Sequence, residues 1–218
     1  KRQSSYFPAI SLWQGDGKVL YEQYRKQVLP NLSNSQSVSR CWNNGCYYLH
    51  IEHWTKMLDD RGIKAVEVLF KDFSKAFDSL QPAKLLKSLV EMGVTSNILK
   101  LSMDFITNRQ QRVRIKDASS PYLPITVGVP QGTLAGPMFW LAFINSYNPP
   151  QSQCNTMYAD DITCTIPVSC SIDDNIQPVV QWGIDWSAEH KMTLNLDKTK
   201  AMLIKFSPNT SVPTVFFR

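Results

Sequence analysis

Two β-type runs that each deliver aspartate, far apart in the chain, constrain the fold more than any other feature of this sequence. Ala65 to Phe70 (Ala-Val-Glu-Val-Leu-Phe) is short and β-branched. Gly62 precedes it and Lys71-Asp72 follows, so it reads as a strand with Asp72 at its end. Met157 to Ile166 reads as two short strands with Asp160-Asp161 at the tight turn between them. Between these runs stands a glycine-flanked loop, Gly128-Val129-Pro130-Gln131-Gly132. Acids this distant in sequence serve one site only if the fold brings them together.

The remaining segments supply that fold. A helix is predicted from Gly17 to Val28, ended by Pro30, and a second from Cys46 to Asp60, with Tyr47, Leu49, Trp54 and Leu58 on a partial apolar face. Pro82 starts an amphipathic helix over Ala83 to Met92, with Leu85, Leu86, Leu89 and Val90 inward and Gly93 at its end. Ser96 or Asn97 caps a helix from Ile98 to Thr107. Arg112-Val113-Arg114-Ile115 and Ile125-Thr126-Val127 read as a hairpin turning over Asp117 to Pro121, with Arg112 and Arg114 on one strand face. Thr133 to Asn145 and Val179 to Glu189 read as helices, and Ala201 to Phe206 as a strand. The order strand–helix–strand–strand–helix–strand predicts an α+β fold with an antiparallel sheet, the ferredoxin-like split βαβ arrangement. It sets the end of the first strand, Asp72, beside the Asp160-Asp161 turn.

With these residues in view, the chain resembles a reverse transcriptase of the non-LTR (LINE-type) retrotransposon class over roughly Pro8 to Ile204. Asp72-Phe73-Ser74-Lys75-Ala76-Phe77-Asp78 resembles motif A, Gly128 to Gly132 motif B, Tyr158-Ala159-Asp160-Asp161 motif C, and Leu194-Asn195-Leu196-Asp197-Lys198-Thr199-Lys200 motif D. The resemblance implies a right-hand polymerase palm with partial fingers and an absent or truncated thumb. It implies partial fingers over 1–62, palm over 63–82, a fingers insertion over 83–127 and palm over 128–218. It implies an RNA-directed DNA polymerase acting on an RNA template, a DNA primer and deoxynucleoside triphosphates, within a longer polyprotein.

The resemblance also implies roles. Asp72, Asp160 and Asp161 would be the catalytic acids and would bind two Mg²⁺ ions, with Mn²⁺ as substitute, for in-line phosphoryl transfer. The Phe73 backbone carbonyl is a further candidate ligand. Phe77 would lie under the incoming sugar and exclude a ribose 2′-hydroxyl. Gln131 and Gly132 would line the nucleotide and template path, and Arg40 would help to grip the triphosphate. Lys198, at the Asn-x-x-Lys-Thr spacing, would donate a proton to the leaving pyrophosphate. Arg109, Arg112 and Arg114 form a basic strip toward the nucleic acid. RNA-dependent RNA polymerases carry an Asp where Phe77 stands and a Gly where Ala159 stands, and Asp78 falls one residue late for that Asp's task, so it reads as structural.

Composition bounds the rest. Of 218 residues 43% are hydrophobic, enough for a real core, and the net charge of +5 is a mild basic bias compatible with a polyanionic partner. Five cysteines (41, 46, 154, 164 and 170) without regular spacing fit a reducing, intracellular compartment, nuclear or cytoplasmic, better than a disulfide framework. No signal peptide is evident, and the longest apolar stretch, Thr133 to Ile144, falls short of the ~20 residues that span a bilayer. Cys41, Cys46, His50 and His53 read C-x4-C-x3-H-x2-H, but a zinc finger needs a longer central spacer.

The departures lie in the first third. Phe7-Pro8-Ala9-Ile10-Ser11-Leu12 stands where the family has Arg-Pro-Ile-Ser-Leu, and Gln36-Ser37-Val38-Ser39-Arg40 lacks the family's glycine. With little sequence after motif D, these departures support a second expectation, a weak or inactive polymerase-derived module that binds nucleic acid or serves a structural role.

Overall fold

The computed structural model describes residues 21–32, 45–150, 152–169 and 176–205, with the backbone alone for 45–50. The predicted helix start at Gly17, and Arg40, Cys41, Phe206 and the side chains of Cys46 and His50, lie outside the described residues. The described part of helix α1, residues 21–27, is followed by a 3₁₀ turn at Leu29–Asn31. Next come α2 (Gly45–Leu58), β1 (Ala65–Lys71), β2 (Phe73–Ser74), α3 (Ala76–Ser79), α4 (Pro82–Glu91) and α5 (Ser96–Ile106). Four short strands follow: β3 (Arg109–Gln111), β4 (Arg114–Ile115), β5 (Ala118–Ser119) and β6 (Leu123–Ile125). The chain then forms α6 (Ala135–Ile144), β7 (Cys154–Tyr158), β8 (Asp161–Val168), α7 (Gln177–His190), β9 (Thr193–Leu194) and β10 (Lys200–Lys205). It divides into two compact units, Lys1–Leu32 with Lys75–Ser146 and Ser33–Ser74 with Tyr147–Arg218.

The second unit holds a four-stranded sheet in the order β10-β1-β8-β7, every neighbouring pair antiparallel. This is the strand order of the split βαβ arrangement predicted from the sequence. β1 is buried along almost its whole length, Glu67 and Lys71 included, because both of its faces are covered. Val66 and Val68 pack with Met57, and Trp54, Leu58, Ile63, Phe70 and Ile204 surround them. The opposite face turns Lys71 toward α7, where its ammonium donates to Tyr147 Oη (2.6 Å) and to the Val179 carbonyl (3.1 Å). Rings close the space around that bond. Tyr147 meets Trp182 and Trp186 edge-on at 5.0 and 5.1 Å, and Phe73 lies 5.9 Å from Trp186.

The first unit is built round α6. Met138 to Ile144 is buried without interruption, as an all-apolar helix demands. Phe139 takes Tyr24 edge-on at 5.2 Å and Phe105 at 5.7 Å, and Tyr24 Oη lies 2.5 Å from Ser102 Oγ.

Three expectations are corrected here. Val90 is 59% exposed, because a residue five places after Leu85 has rotated off the buried stripe, and Ser88 takes its place inside. α5 is preceded by Thr95, not capped by Ser96 or Asn97; its N-cap makes no side-chain bond, and the Thr95 amide donates to Gln27 Oε1. The hairpin is paired differently: β3 pairs with β6, Arg109 opposite Ile125, while β4, the end of the predicted first strand, pairs with β5 inside the predicted turn, Ile115 opposite Ala118. Among the described residues no helix is long and apolar enough to cross a membrane.

Candidate active site

In the second unit the central strand hands its register to the carboxylates. Lys71 pairs with Ile162 in the last step of the β1–β8 ladder, so Asp72 leaves β1 at the end where Asp161 enters β8, close enough for its charge to act on Asp161. Tyr158 pairs with Asp161 and closes the β7–β8 hairpin over a two-residue turn, Ala159-Asp160. Ala159 takes φ 55°, the left-handed conformation that such tight turns require. Asp161 therefore opens a strand instead of sharing the turn with Asp160.

Asp72 is buried, 7% exposed, and is held from a third direction. β2 and β9 pair Phe73 with Leu194 and Ser74 with Thr193. Asn195, next along, donates its backbone N–H to the Asp72 carbonyl (2.9 Å) and its Nδ2 to Asp72 Oδ2 (3.2 Å). The Lys198 ammonium lies 3.1 Å from that oxygen. Asn195 also organises the turn that presents Lys198: its carbonyl accepts from the Lys198 and Thr199 amides, and from Thr199 Oγ1.

The electrostatics follow from this crowding. Partial desolvation, then the negative charges of Asp160 and Asp72, hold the Asp161 carboxyl above its ordinary range, with Lys198 opposing. A carboxylate set against two others belongs to a donor set suited to a hard divalent cation, which relieves the repulsion. Among the described residues no three acidic, histidine or cysteine side chains already close round a single metal position.

In the first unit, the glycine-flanked loop is buried at Gly128 and Val129 and exposed at Gln131 and Gly132. Gly132 has φ +78°, which favours glycine there. Gln131 Nε2 donates to Asp78 Oδ1 at 2.6 Å, giving Asp78 the structural part expected of it. Phe77 is half-buried, its ring 5.4 Å from that of Trp140. Arg109 directs Nε to the Ile106 carbonyl and Nη2 to the carbonyls of Val127 and Gly128. Arg112 lies between β3 and β4, not within a strand, so it shares no strand face with Arg114. Its guanidinium sits 4.9 Å from the Tyr122 ring centre, and Arg114 Nε donates to the Lys116 carbonyl.

Comparison with known proteins agrees with this geometry. The family model for reverse transcriptase (RNA-dependent DNA polymerase) matches residues 1–215. This chain belongs to the reverse transcriptase family. A relative in Drosophila melanogaster, the putative 115 kDa protein in type-1 retrotransposable element R1DM, is 26% identical over 171 residues, covering 75% of this chain and 16% of that protein. The probable RNA-directed DNA polymerase from transposon X-element of the same organism is 24% identical over 154 residues, 66% of this chain and 17% of that protein. The chain thus spans about a sixth of the length of these relatives. Among solved structures, apo telomerase from Candida tropicalis truncated from its C-terminal domain matches at TM-score 0.63 and 12% identity, over 92% of this chain and 41% of that one. Telomerase from Candida albicans in complex with a fragment of telomeric RNA matches at TM-score 0.63 and 16% identity, over 92% and 35%. The fold is the polymerase palm fold of reverse transcriptases.

Asn195 is the residue that sequence reasoning passed over as a site component. It served only to fix the spacing to Lys198, yet it holds both the backbone and the side chain of Asp72. The Asn-x-x-Lys-Thr string carries the signal, since asparagine favours a turn that it can bond itself.

Proposed function

We propose that this chain is the core of an RNA-directed DNA polymerase of non-LTR retrotransposon type, adding deoxynucleotides to a primer 3′-hydroxyl on an RNA template. The observation that carries the reading is that Asp72 leaves β1 at the end of the sheet where Asp161 enters β8, with Asp160 in the adjoining turn and Asn195 and Lys198 on Asp72. The names of the Drosophila relatives, both from transposable elements, point the same way.

Asp72 and Asp160 would hold two Mg²⁺ ions, with the Phe73 carbonyl as a further ligand and Asp161 as a weaker or outer one. When bound, the ions would lower the pKa of the primer hydroxyl and stabilise charge on the leaving pyrophosphate. Asn195 fixes the Asp72 carboxylate so that its free lone pairs point one way. Lys198, its side chain 66% exposed, is able to leave Asp72 and give a proton to the pyrophosphate. Phe77 excludes a ribose 2′-hydroxyl, and Gln131 and Gly132 line the path of nucleotide and template, with Arg40 on the triphosphate. Arg112 and Arg114 contact the nucleic-acid backbone. In this reading the segments 1–62 and 83–127 serve as fingers, and 63–82 and 128–218 as palm.

Primer extension tests it. The full-length protein that contains this chain is given an RNA template, a DNA primer and deoxynucleoside triphosphates, with and without a chelator. Extension that needs the divalent ion and fails in Asp160→Asn supports the reading. Template and primer binding without extension under any divalent ion would favour the binding module instead.

A further inference from the structure

The loop from Val127 to Gly132 is held from two sides, and the two sides use opposite backbone groups. Its N–H groups face the segment 77–80: the Gly128 amide donates to the Leu80 carbonyl (2.7 Å) and the Val129 amide to the Phe77 carbonyl (2.9 Å). The approach is close enough that a Cβ on Gly128 would lie 2.7 Å from the Asp78 carbonyl oxygen, and Gly128 has φ +79°. Gln131 adds a side-chain tie to Asp78 at 2.6 Å. The carbonyls of the loop face the other way, and Arg109 takes them. Its Nη2 donates to both Val127 and Gly128, while Nε donates to Ile106, the last residue of α5.

We infer that Arg109 is a positioning residue, which locks the Gln131-bearing loop onto the Phe77–Leu80 segment and so sets Gln131 and Phe77 as one rigid piece. Three carbonyls, one of them at the negative end of a helix, converge on one planar guanidinium. An ammonium offers a point charge and lacks the fixed fork needed to serve all three. Arg109 thereby differs from Arg112 and Arg114, whose surroundings leave a phosphate role open. The kinetic consequence rests on the polymerase reading; the locking itself does not. A misplacement of about 1 Å in a loop that orients substrate lowers kcat/KM by up to about 100-fold, although the altered residue touches no substrate.

The test uses Arg109→Ala and Arg109→Lys in the full-length protein that contains this chain, with three readouts. Amide hydrogen exchange at Gly128 and Val129 is expected to accelerate by about tenfold or more in both variants, while the β1 amides stay protected. The KM for deoxynucleotides is expected to rise more than kcat falls, with lysine giving no rescue. The salt dependence of primer–template binding is expected to keep its slope. Unchanged exchange at Gly128 and Val129 would overturn the inference. So would rescue by lysine together with a slope reduced by about 0.9 in the alanine variant, the mark of a lost phosphate contact. If the alanine variant fails to fold, the lysine variant alone decides. Faster exchange in a protein whose wild type extends no primer would uphold the locking role and overturn the polymerase reading.

Discussion

The Lys198 ammonium stands 3.1 Å from Asp72 Oδ2, and Asn195 Nδ2 donates to that same oxygen. One carboxylate oxygen is thus shared by a fixed amide and by a cation on a long, mostly exposed stem. The ammonium is exposed, and without it the buried Asp72 carboxylate keeps its bond from Asn195. Lys198→Ala should therefore lower Tm by only a few degrees, yet slow single-turnover nucleotide addition by about 100-fold. Lys198→Arg should stay slow, because a guanidinium does not release its proton. A full rate in Lys198→Ala would mark the side chain as surface only.

Asp160→Asn should lower primer extension by at least about 1,000-fold, since loss of one ligand charge removes metal binding before it disturbs packing. The half-exposed turn position leaves the core intact, so circular dichroism and the thermal transition should match the wild type. An active Asp160→Asn protein would end the assignment of this acid.

Phe77→Val should raise incorporation of ribonucleotides relative to deoxyribonucleotides. The ring rests on Trp140 at 5.4 Å, a contact that fixes where its bulk lies. Removing that bulk lifts a steric exclusion without adding a contact. If polymerisation persists with unchanged sugar preference, Phe77 is a packing residue and the choice is made elsewhere.

Glu67 gives a pH dependence of known sign. Burial in the middle of β1 raises its carboxyl above the ordinary 4.5, against a bond from the Ile176 amide. The folded state binds this proton more tightly than the unfolded state does. Stability therefore falls as pH rises from 4.5 through the raised value, and the penalty is complete above it. Glu67→Gln removes the charge. Its Tm should exceed that of the wild type by a few degrees at pH 8, and the difference should close below pH 4.5. A constant difference across that range would show that the substitution acts through packing.

Gly183→Ala should be costly for a helix position. Its new Cβ would come within 2.7 Å of Tyr147 Oη and nearer still to Lys71 Nζ. Overpacking of this kind costs about 1–3 kcal/mol, which at this chain length lowers Tm by roughly 2–10 °C. Calorimetry on the variant reads it directly, and an unchanged Tm would mean that Lys71 gives way at no cost.

The legible parts of the fold are those where burial and local chemistry agree. β1 announced itself by a short β-branched run and α6 by its long apolar stretch, and the Asp160 turn by its position between two strands. The pairing of β3 to β6 was misread for the opposite reason. Val113, Ile115 and Leu123 are 55%, 69% and 58% exposed, so no buried face pins the strand register there. Val90 was misjudged by hydrophobicity alone, where helical phase decides. The tie from Asn195 to Asp72 was invisible because β2 and β9 are two residues each, too short to leave a pattern. Tyr147 and Val179 also gave no hint that they would accept from Lys71, since a buried lysine is identified only by what surrounds it.

The place of β1 in the middle of its sheet governs how the chain must be made. Both neighbours of β1 come later in the sequence, and Asn195, which secures Asp72, lies 123 residues beyond it. During synthesis β1 leaves the ribosome with both hydrogen-bonding edges bare. Pairing with β8 must wait until Val168 has been made, and pairing with β10 until Lys205. Such long-range closure is slow, and unpaired apolar strands recruit other chains. Until translation passes Lys205 the nascent chain is a candidate for chaperone capture, and release before that point would leave an open edge in the sheet.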